Sequence, residues 1–405
     1  MSYIATRLSA VRPSASMAVS QAAKALAAKG VDVIDLGLGE PDFPTPGHIV
    51  EAAYEAARSG DTLYTASVGT PAVRAAIAGK FARENGLGYG LDEIAVANGA
   101  KQIIFNALMA TLDDGDEVIL PAPYFVSYPE MVKLLGGRPV TVECGSESGF
   151  RLTPALLEQA ITPRTKWLFL NMPGNPSGAV YAKPDLEALG AVLARHPQVL
   201  VLSDEIYEHI IFDGRSFVSF GLACPQLRER SLIVNGVSKA YAMTGWRVGY
   251  AAGPAPLIKA MGTVQSQSCT SVCSIAQAAT VAALEGPQDE VTRFREAFER
   301  RRDRVVDGIK SINALTLDPP EGAFYAYIGC AALIGAQTPA GETLADDTAV
   351  ARYLLDEGRV ASVPGAAYGL SPFFRISTAT SDAVLGDAVE RIGEAVFKLK
   401  LRDDA

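Results

Sequence analysis

Ser238-Lys239-Ala240-Tyr241-Ala242-Met243-Thr244-Gly245-Trp246-Arg247-Val248-Gly249 follows directly on an apolar, strand-like run, residues 231–236. A lysine flanked by small residues at the end of a strand can be partly desolvated, which lowers its pKa and frees the amine to condense with a carbonyl. Arg247, eight residues on, is a fixed cation suited to phosphate oxygens. The pair fits a lysine that takes an aldehyde cofactor carrying a phosphate. A solvated lysine and a buried structural arginine would produce the same run, so its reading depends on the residues upstream.

Upstream, Leu202-Ser203-Asp204-Glu205-Ile206-Tyr207 follows the apolar residues 199–201. Asp204 therefore falls at the C-terminal end of a buried strand, where a carboxylate can meet a ring nitrogen and keep it protonated. Capping aspartates are common at such ends, which leaves a second reading of the residue alone. Asn171-Met172-Pro173-Gly174-Asn175-Pro176-Ser177-Gly178 also follows an apolar run, residues 167–170, and is a loop by its Asn, Pro and Gly content.

In that order and spacing, Asn-x-Pro-x-Asn-Pro-x-Gly, Ser-Asp-Glu-Ile-Tyr and Ser-Lys-x-x-x-Met-Thr-Gly-Trp-Arg-x-Gly resemble a class I aminotransferase of fold type I. Further segments resemble the bacterial aspartate and aspartate/prephenate branch: Gly39-Glu40-Pro41-Asp42-Phe43, Asn98-Gly99-Ala100-Lys101-Gln102, Val126-Ser127-Tyr128-Pro129-Glu130 and Phe374-Arg375-Ile376-Ser377. The resemblance covers nearly the whole chain. It implies an α/β fold, that of the pyridoxal 5'-phosphate-dependent transferases of fold type I. Such a fold has a large domain with a mostly parallel central sheet flanked by helices, and a smaller α/β domain. The expected division is 45–290 for the large domain, with 1–44 and 291–405 forming a discontinuous small domain.

Composition agrees with a large enzyme. The 405 residues are 49% hydrophobic and 20% charged, enough for a core and a second lobe. A net charge of -9 argues against nucleic acid or an anionic membrane as partner, since both reward basic surfaces. Five scattered cysteines, Cys144, Cys224, Cys269, Cys273 and Cys330, read as reduced thiols of a cytoplasmic protein. Cys269 and Cys273 would share a face if they lay on a helix; with three unclustered histidines, His48, His196 and His209, no metal site is expected. Residues 1–31 lack acidic groups and superficially look like a transit peptide, but the resemblance extends into Arg12-Pro13-Ser14-Ala15-Ser16, and the Ala-rich residues 17–29 read as an amphipathic helix. No apolar run approaches the roughly 20 residues of a membrane helix.

Short apolar runs alternate with longer Ala/Leu/charged stretches, the pattern of βαβ units and a largely parallel sheet. Strands are expected at 117–120, 167–170, 199–202 and 232–235, and helices at 99–111 and 183–195. A long charged helix at 288–312 would lead into the small domain, which closes with 373–377 and a helix from about Asp382.

What each residue does follows from the resemblance. The amides of Gly99, Ala100 and Lys101 at a helix start, the Ser238 hydroxyl and Arg247 would hold the phosphate, and Tyr64 would reach it from a second subunit, so that a homodimer shares its active sites. Asp204 would pair with the ring nitrogen, and Tyr207 and Asn175 with the phenolic oxygen. Lys239 would attach the cofactor and move the α-proton of the substrate. Arg375 would grip the α-carboxylate, helped by Asn175 and the backbone near Gly39. Lys101 and Ser16, where threonine is usual, would meet a distal carboxylate.

Phe125 is the main departure, because this branch usually has a tryptophan there, stacked on the cofactor and donating its indole N–H to an acidic substrate. Phenylalanine stacks but cannot donate, and losing a hydrogen bond to a charged group costs about 1.5–3 kcal/mol. The segment 268–273 also departs from the usual pattern and could line the pocket from the partner. The leading expectation is transamination of aspartate or glutamate with 2-oxoglutarate or oxaloacetate, with prephenate as a further acceptor. An aminotransferase for aromatic or neutral amino acids, or a carbon–sulfur lyase on the same scaffold, stays open. An effector-binding domain of a transcription regulator would need an attached basic helix-turn-helix, for which residues 1–44 are too few.

Overall fold

The computed structural model describes residues 3–402; the expected small-domain bounds include residues 1–2 and 403–405, which lie outside the described residues. The central sheet is built from β1 (Ile94–Ala97), β2 (Glu117–Ala122), β3 (Arg138–Glu143), β4 (Thr165–Asn171), β5 (Leu200–Asp204), β6 (Ser231–Gly236) and β7 (Gly249–Ala252). Their order across the sheet is β1-β7-β6-β5-β4-β2-β3. Only β7 runs against its neighbours; the others are parallel.

The strands are apolar on both faces because helices cover both. In β4, Leu168 and Leu170 join a cluster containing Val73, Ile77 and Phe81 of the helix Pro71–Asn85 and Leu186, Leu189 and Leu193 of the helix Lys183–Ala194. Trp167 and Phe169 point the other way, among Ile103, Ile104, Ala107 and Leu108 of the helix Ala100–Thr111 and Ile258 and Met261 of the helix Ala255–Ser268. Alternation with period two thus divides one strand between two cores. Removing Leu168 to alanine would cost about 2–5 kcal/mol, since the site is closed on all sides.

A smaller antiparallel sheet orders Val363–Pro364, Phe373–Ser377 and Tyr325–Gly329. The N-terminal Ile34–Asp35 pairs in parallel with Val360–Ala361, and the Ser377 amide donates to the Leu36 carbonyl (2.9 Å). The helix Asp289–Lys310 connects the two regions: Phe294 and Phe298 pack near Tyr207 and Phe324, while Val305, Val306 and Ile309 enter the core around the smaller sheet.

Several elements differ from the sequence expectation. The first helix is Ala15–Ala27 rather than 17–29, and the expected helix 99–111 begins at Ala100 because Gly99 sits outside it at φ 87. The long helix stops at Lys310, two residues short of its expected end. Strands run past the expected ends: β2 continues through Pro121 to Ala122, β4 to the half-buried Asn171 and β5 through Ser203 to the buried Asp204. Cys269 and Cys273 do not share a helix: one ends Ala255–Ser268 and the other precedes Ser274–Glu285.

Candidate active site

Six parallel strands end at one edge of the sheet, where a polar side chain can follow an apolar strand without disturbing the core. The cavity there has a volume of about 370 Å³ and collects the segments after β1, β2, β4, β5 and β6. Because β7 is reversed, its start, with Arg247 just before it, lies at the same edge.

Lys239 emerges three residues beyond β6. Its Nζ donates to the Gly39 carbonyl (2.6 Å) and lies 5.9 Å and 5.6 Å from the ring centres of Tyr207 and Phe324. Desolvation lowers its pKa to about 8, with Arg375 and Arg247 pushing the same way and Glu40 and Asp204 opposing. An ammonium among aromatic rings loses its proton more readily than one in water, which yields an amine nucleophile near neutral pH.

Asp204, the last residue of β5, is buried. Its Oδ2 accepts from the Tyr128 hydroxyl (2.7 Å) and its Oδ1 from the Ile206 amide (3.4 Å). Burial raises its pKa to about 6, tempered by Tyr128, the Ile206 amide and Lys239. A carboxylate so placed keeps acceptor capacity toward the cavity and is stabilised by a cationic N–H.

The anion end is built on backbone. The amides of Ala100 and Lys101 start a 12-residue helix and have no carbonyl one turn back. Arg247 occupies the left-handed region at φ 57, its Nη1 donating to the Thr244 carbonyl (2.9 Å) and its Nη2 to that of Asn98 (3.3 Å). A Cβ on Gly99 would collide with the Arg247 guanidinium, and one on Gly249 with the Ala100 amide, so both glycines are demanded by close approach. Ser238 lines the same end. Helix amides, hydroxyl and guanidinium together suit a phosphate.

Arg375 is buried in the smaller sheet. Its Nη1 donates to Asn175 Oδ1 (3.1 Å) and its Nη2 to the Gly37 carbonyl, while Nε has no partner. Its guanidinium lies 4.5 Å from the Tyr325 ring centre and 5.3 Å from that of Tyr368. A buried cation with an unused donor is expensive without an anion. Asn175 is itself positioned by its amide, which donates to Asn171 Oδ1 (2.7 Å).

Lys101, Ser16 and Phe125 line the remaining wall with Met17 and Ile104. Lys101 Nζ sits 5.3 Å from the Phe125 ring centre, and the Ser16 hydroxyl lies against that of Tyr368. Gly39, Tyr207 and Asn175 also face this cavity. Tyr64 does not: it is 91% exposed on the single chain. The segment 268–273 is likewise outside it, although Cys269 accepts from Gln102 Nε2 (3.1 Å).

Sequence reading did not single out Tyr128 or Tyr325. Tyr128 stood inside a quoted motif but without a partner, and its bond to Asp204 spans 76 positions. Tyr325, whose hydroxyl meets that of Tyr207 at 2.7 Å, had no local signal at all.

The family model described as aminotransferase class I and II matches residues 31–392. The chain is 54% identical over 395 residues to an aspartate aminotransferase of Rhizobium meliloti, covering 98% of this chain and 96% of the relative. It is 54% identical over 392 residues to an aspartate/prephenate aminotransferase of Cereibacter sphaeroides, covering 97% and 98%. Its structure is similar to the crystal structure of the aspartate aminotransferase from Rhizobium meliloti, with a TM-score of 0.96 at 54% identity over 99% of this chain and 100% of that one. Against the Thermus thermophilus aspartate aminotransferase with maleate the TM-score is 0.91 at 44% identity, covering 98% and 100%.

Proposed function

This chain belongs to the class I and II aminotransferases, and from that premise we propose that it transfers the amino group of aspartate or glutamate to 2-oxoglutarate or oxaloacetate, with prephenate as a further acceptor. We propose pyridoxal 5'-phosphate as the cofactor. Bound, it supplies an aldehyde for the substrate amine and a ring that takes up the electrons freed when the α-proton leaves. The residues fit that group: the Ala100 and Lys101 amides, Ser238 and Arg247 would hold its phosphate, Asp204 its ring nitrogen, and Tyr207 and Asn175 its phenolic oxygen. The overlap an added Cβ would cause at Gly99 and Gly249 marks a cradle drawn tight around such an anion.

In this reading Arg375 binds the α-carboxylate through its free donor and orients the α-carbon toward Lys239. Lys239 Nζ takes the α-proton as a base, for which a pKa near 8 is suited, and returns it on the other side of the reaction. Lys101 and the Ser16 hydroxyl meet the distal carboxylate. The observation that carries the proposal is the convergence of Lys239, Asp204 and Arg375 on one cavity from three separate segments. Phe125, with Met17 and Ile104, gives that cavity an apolar wall and supports a second reading, in which aromatic or neutral amino acids are preferred.

The same proposal includes a homodimer whose Tyr64 reaches the neighbouring phosphate, a large domain of 45–290 and a small domain of 1–44 with 291–405. Pairing of Ile34–Asp35 with Val360–Ala361 supports the last of these. The five cysteines are free thiols, which supports a reducing cytoplasmic setting. No helix among the described residues is long and apolar enough to cross a membrane.

The test is a half-reaction: cofactor-loaded protein is mixed with one amino acid at a time, without oxo acid, and the cofactor's absorbance is followed. Aspartate or glutamate should convert it to the aminated form. Conversion by aromatic or neutral amino acids alone would transfer the proposal to the second reading, and release of ammonia and pyruvate would make the protein a lyase.

A further inference from the structure

The Tyr325 hydroxyl stands where three parts of the chain meet. It is 2.7 Å from the Tyr207 hydroxyl, which follows β5 of the central sheet. Its ring lies 4.5 Å from the Arg375 guanidinium on the neighbouring strand of the smaller sheet. A Cβ on Gly39 would overlap it, and the Gly39 carbonyl is the acceptor of Lys239 Nζ. The side chain is 2% exposed, so none of these contacts is shared with solvent.

Resting on the proposed function, we infer that Tyr325 is a positioning residue: it ties carboxylate binding at Arg375 to the hydrogen bond that Tyr207 offers the cofactor. Two phenols in contact share one hydrogen bond, and only one of them donates. Burial and the Tyr325 contact hold the Tyr207 proton well above the ordinary phenol range. Burial also raises Tyr325, with Arg375 and Tyr207 opposing it; either hydroxyl can donate in this contact, and the Arg375 cation against the Tyr325 ring favours Tyr325 as the donor. When an acceptor lies beyond Tyr207, the Tyr207 proton turns to it and Tyr325 donates to the Tyr207 oxygen, strengthening the outer bond cooperatively. The other charged groups facing Tyr207 are Asp204, Lys239 and Arg375. A carboxylate on Arg375 offsets the cation beside Tyr325 and so weakens its donation, which carries news of substrate binding to the cofactor's phenolic oxygen.

Tyr325→Phe removes the hydroxyl and keeps the ring under Arg375. The readout is the pH midpoint of the bound cofactor's absorbance change, in the parent, Tyr325→Phe, Tyr207→Phe and the double variant, with and without maleate as an unreactive dicarboxylate. Tyr325→Phe should raise the midpoint by roughly 0.5–1 unit, the equivalent of one neutral hydrogen bond, and should reduce the shift that maleate causes. The double variant should match Tyr207→Phe alone, since Tyr325 acts through Tyr207. An unchanged midpoint and unchanged maleate shift in a Tyr325→Phe protein that melts like the parent would overturn the inference and leave the proposed function standing. So would an effect of Tyr325→Phe that persists without the Tyr207 hydroxyl. Failure of the parent chain to take up pyridoxal phosphate at all would overturn the function and this inference together.

Discussion

Lys239 is an amine held among aromatic rings with a carbonyl as its one hydrogen-bond acceptor, and that environment sets what can be tested at the scale of single residues. Lys239→Ala should abolish turnover in a protein that remains folded, since the side chain is only partly buried and its bond to Gly39 is one of many joining these segments; activity near that of the parent would end the mechanism. The depressed pKa makes a second prediction. Below pH 8 the amine is protonated and cannot attack an aldehyde, so cofactor uptake by the stripped protein should accelerate through a midpoint of about 8 and then level off. A stopped-flow series across that range gives the midpoint, and one near 10.5 would mean that the lysine is not desolvated. Phe125→Trp should restore the missing donor and raise kcat/KM for aspartate by about tenfold relative to a neutral amino acid. An equal gain for both substrates would show that stacking, and not the indole N–H, was at issue.

Elements fix these side chains by where they stop. β5 ends on Asp204, β4 on Asn171, and the helix from Ala100 begins where β7 and β1 converge, so the anion end of the site consists of backbone pressed against backbone. Gly249 is the tightest point, because a Cβ there meets the Ala100 amide and the Gly99 carbonyl carbon, neither of which can swing aside as a side chain can. Gly249→Ala should destabilise the fold by about 1–3 kcal/mol and weaken cofactor retention more than it weakens the rest of the structure. Thermal melting with and without pyridoxal phosphate separates the two effects; the stabilisation the cofactor provides should shrink in the variant. The loop after β5 is anchored from behind. Glu205 accepts from Ser203 (2.8 Å), Ser219 (3.0 Å) and the Phe220 amide (3.0 Å), with burial raising its pKa to about 8. Glu208 takes bonds from Lys80, Asn85 and Asn235. Tyr207 is thereby fixed on a short loop between two carboxyl anchors.

At the scale of the molecule, polar contacts far apart in sequence tie the N-terminal segment to the long connecting helix, and the loop before the smaller sheet to the central region. Arg301 is bidentate to Asp42 (2.7 and 2.8 Å), and Glu321 accepts from Arg151 (2.9 Å) and the Val180 amide (3.0 Å). Arg375 and Tyr325 of the smaller sheet and Ser16 and Gly39 of the N-terminal segment thus meet the groups that the central sheet delivers to one cavity. Leu63 and Tyr64 stand out as apolar side chains 80% and 91% exposed, beside the segment that leads into the helix Pro71–Asn85. If the partner's copy of Tyr64 completes each site, Lys239→Ala and Tyr64→Ala chains, each nearly inactive alone, should recover activity when mixed. In a random equal mixture half the dimers are hybrids with one complete site of two, so about a quarter of the parent activity is expected. No recovery after subunit exchange would place Tyr64 outside the active site.

Three ordered motifs were enough for the family and the nature of the fold, and they singled out Lys239, Asp204 and Arg247, which the structure brings to one cavity, because strand-end chemistry is local: an apolar run followed at once by a polar residue is written in consecutive letters. Arg375 and Tyr64 were proposed only through resemblance, since a lone arginine in a strand or a lone tyrosine in a loop has several ordinary explanations; Arg375 lines the cavity, and Tyr64 lies outside it on the single chain. Tertiary structure alone decided that β7 runs backward and so delivers Arg247 to the same edge as Lys239. It also decided that Gly99 belongs to the cradle and not to the helix, and that Tyr128 and Tyr325 are the partners of Asp204 and Tyr207. Hydrogen bonds between residues 76 and 118 positions apart leave no periodicity or spacing in the chain. The first exists because β2 and β5 bring their C-terminal ends to one edge of the central sheet, and the second because the smaller sheet packs over that same cavity.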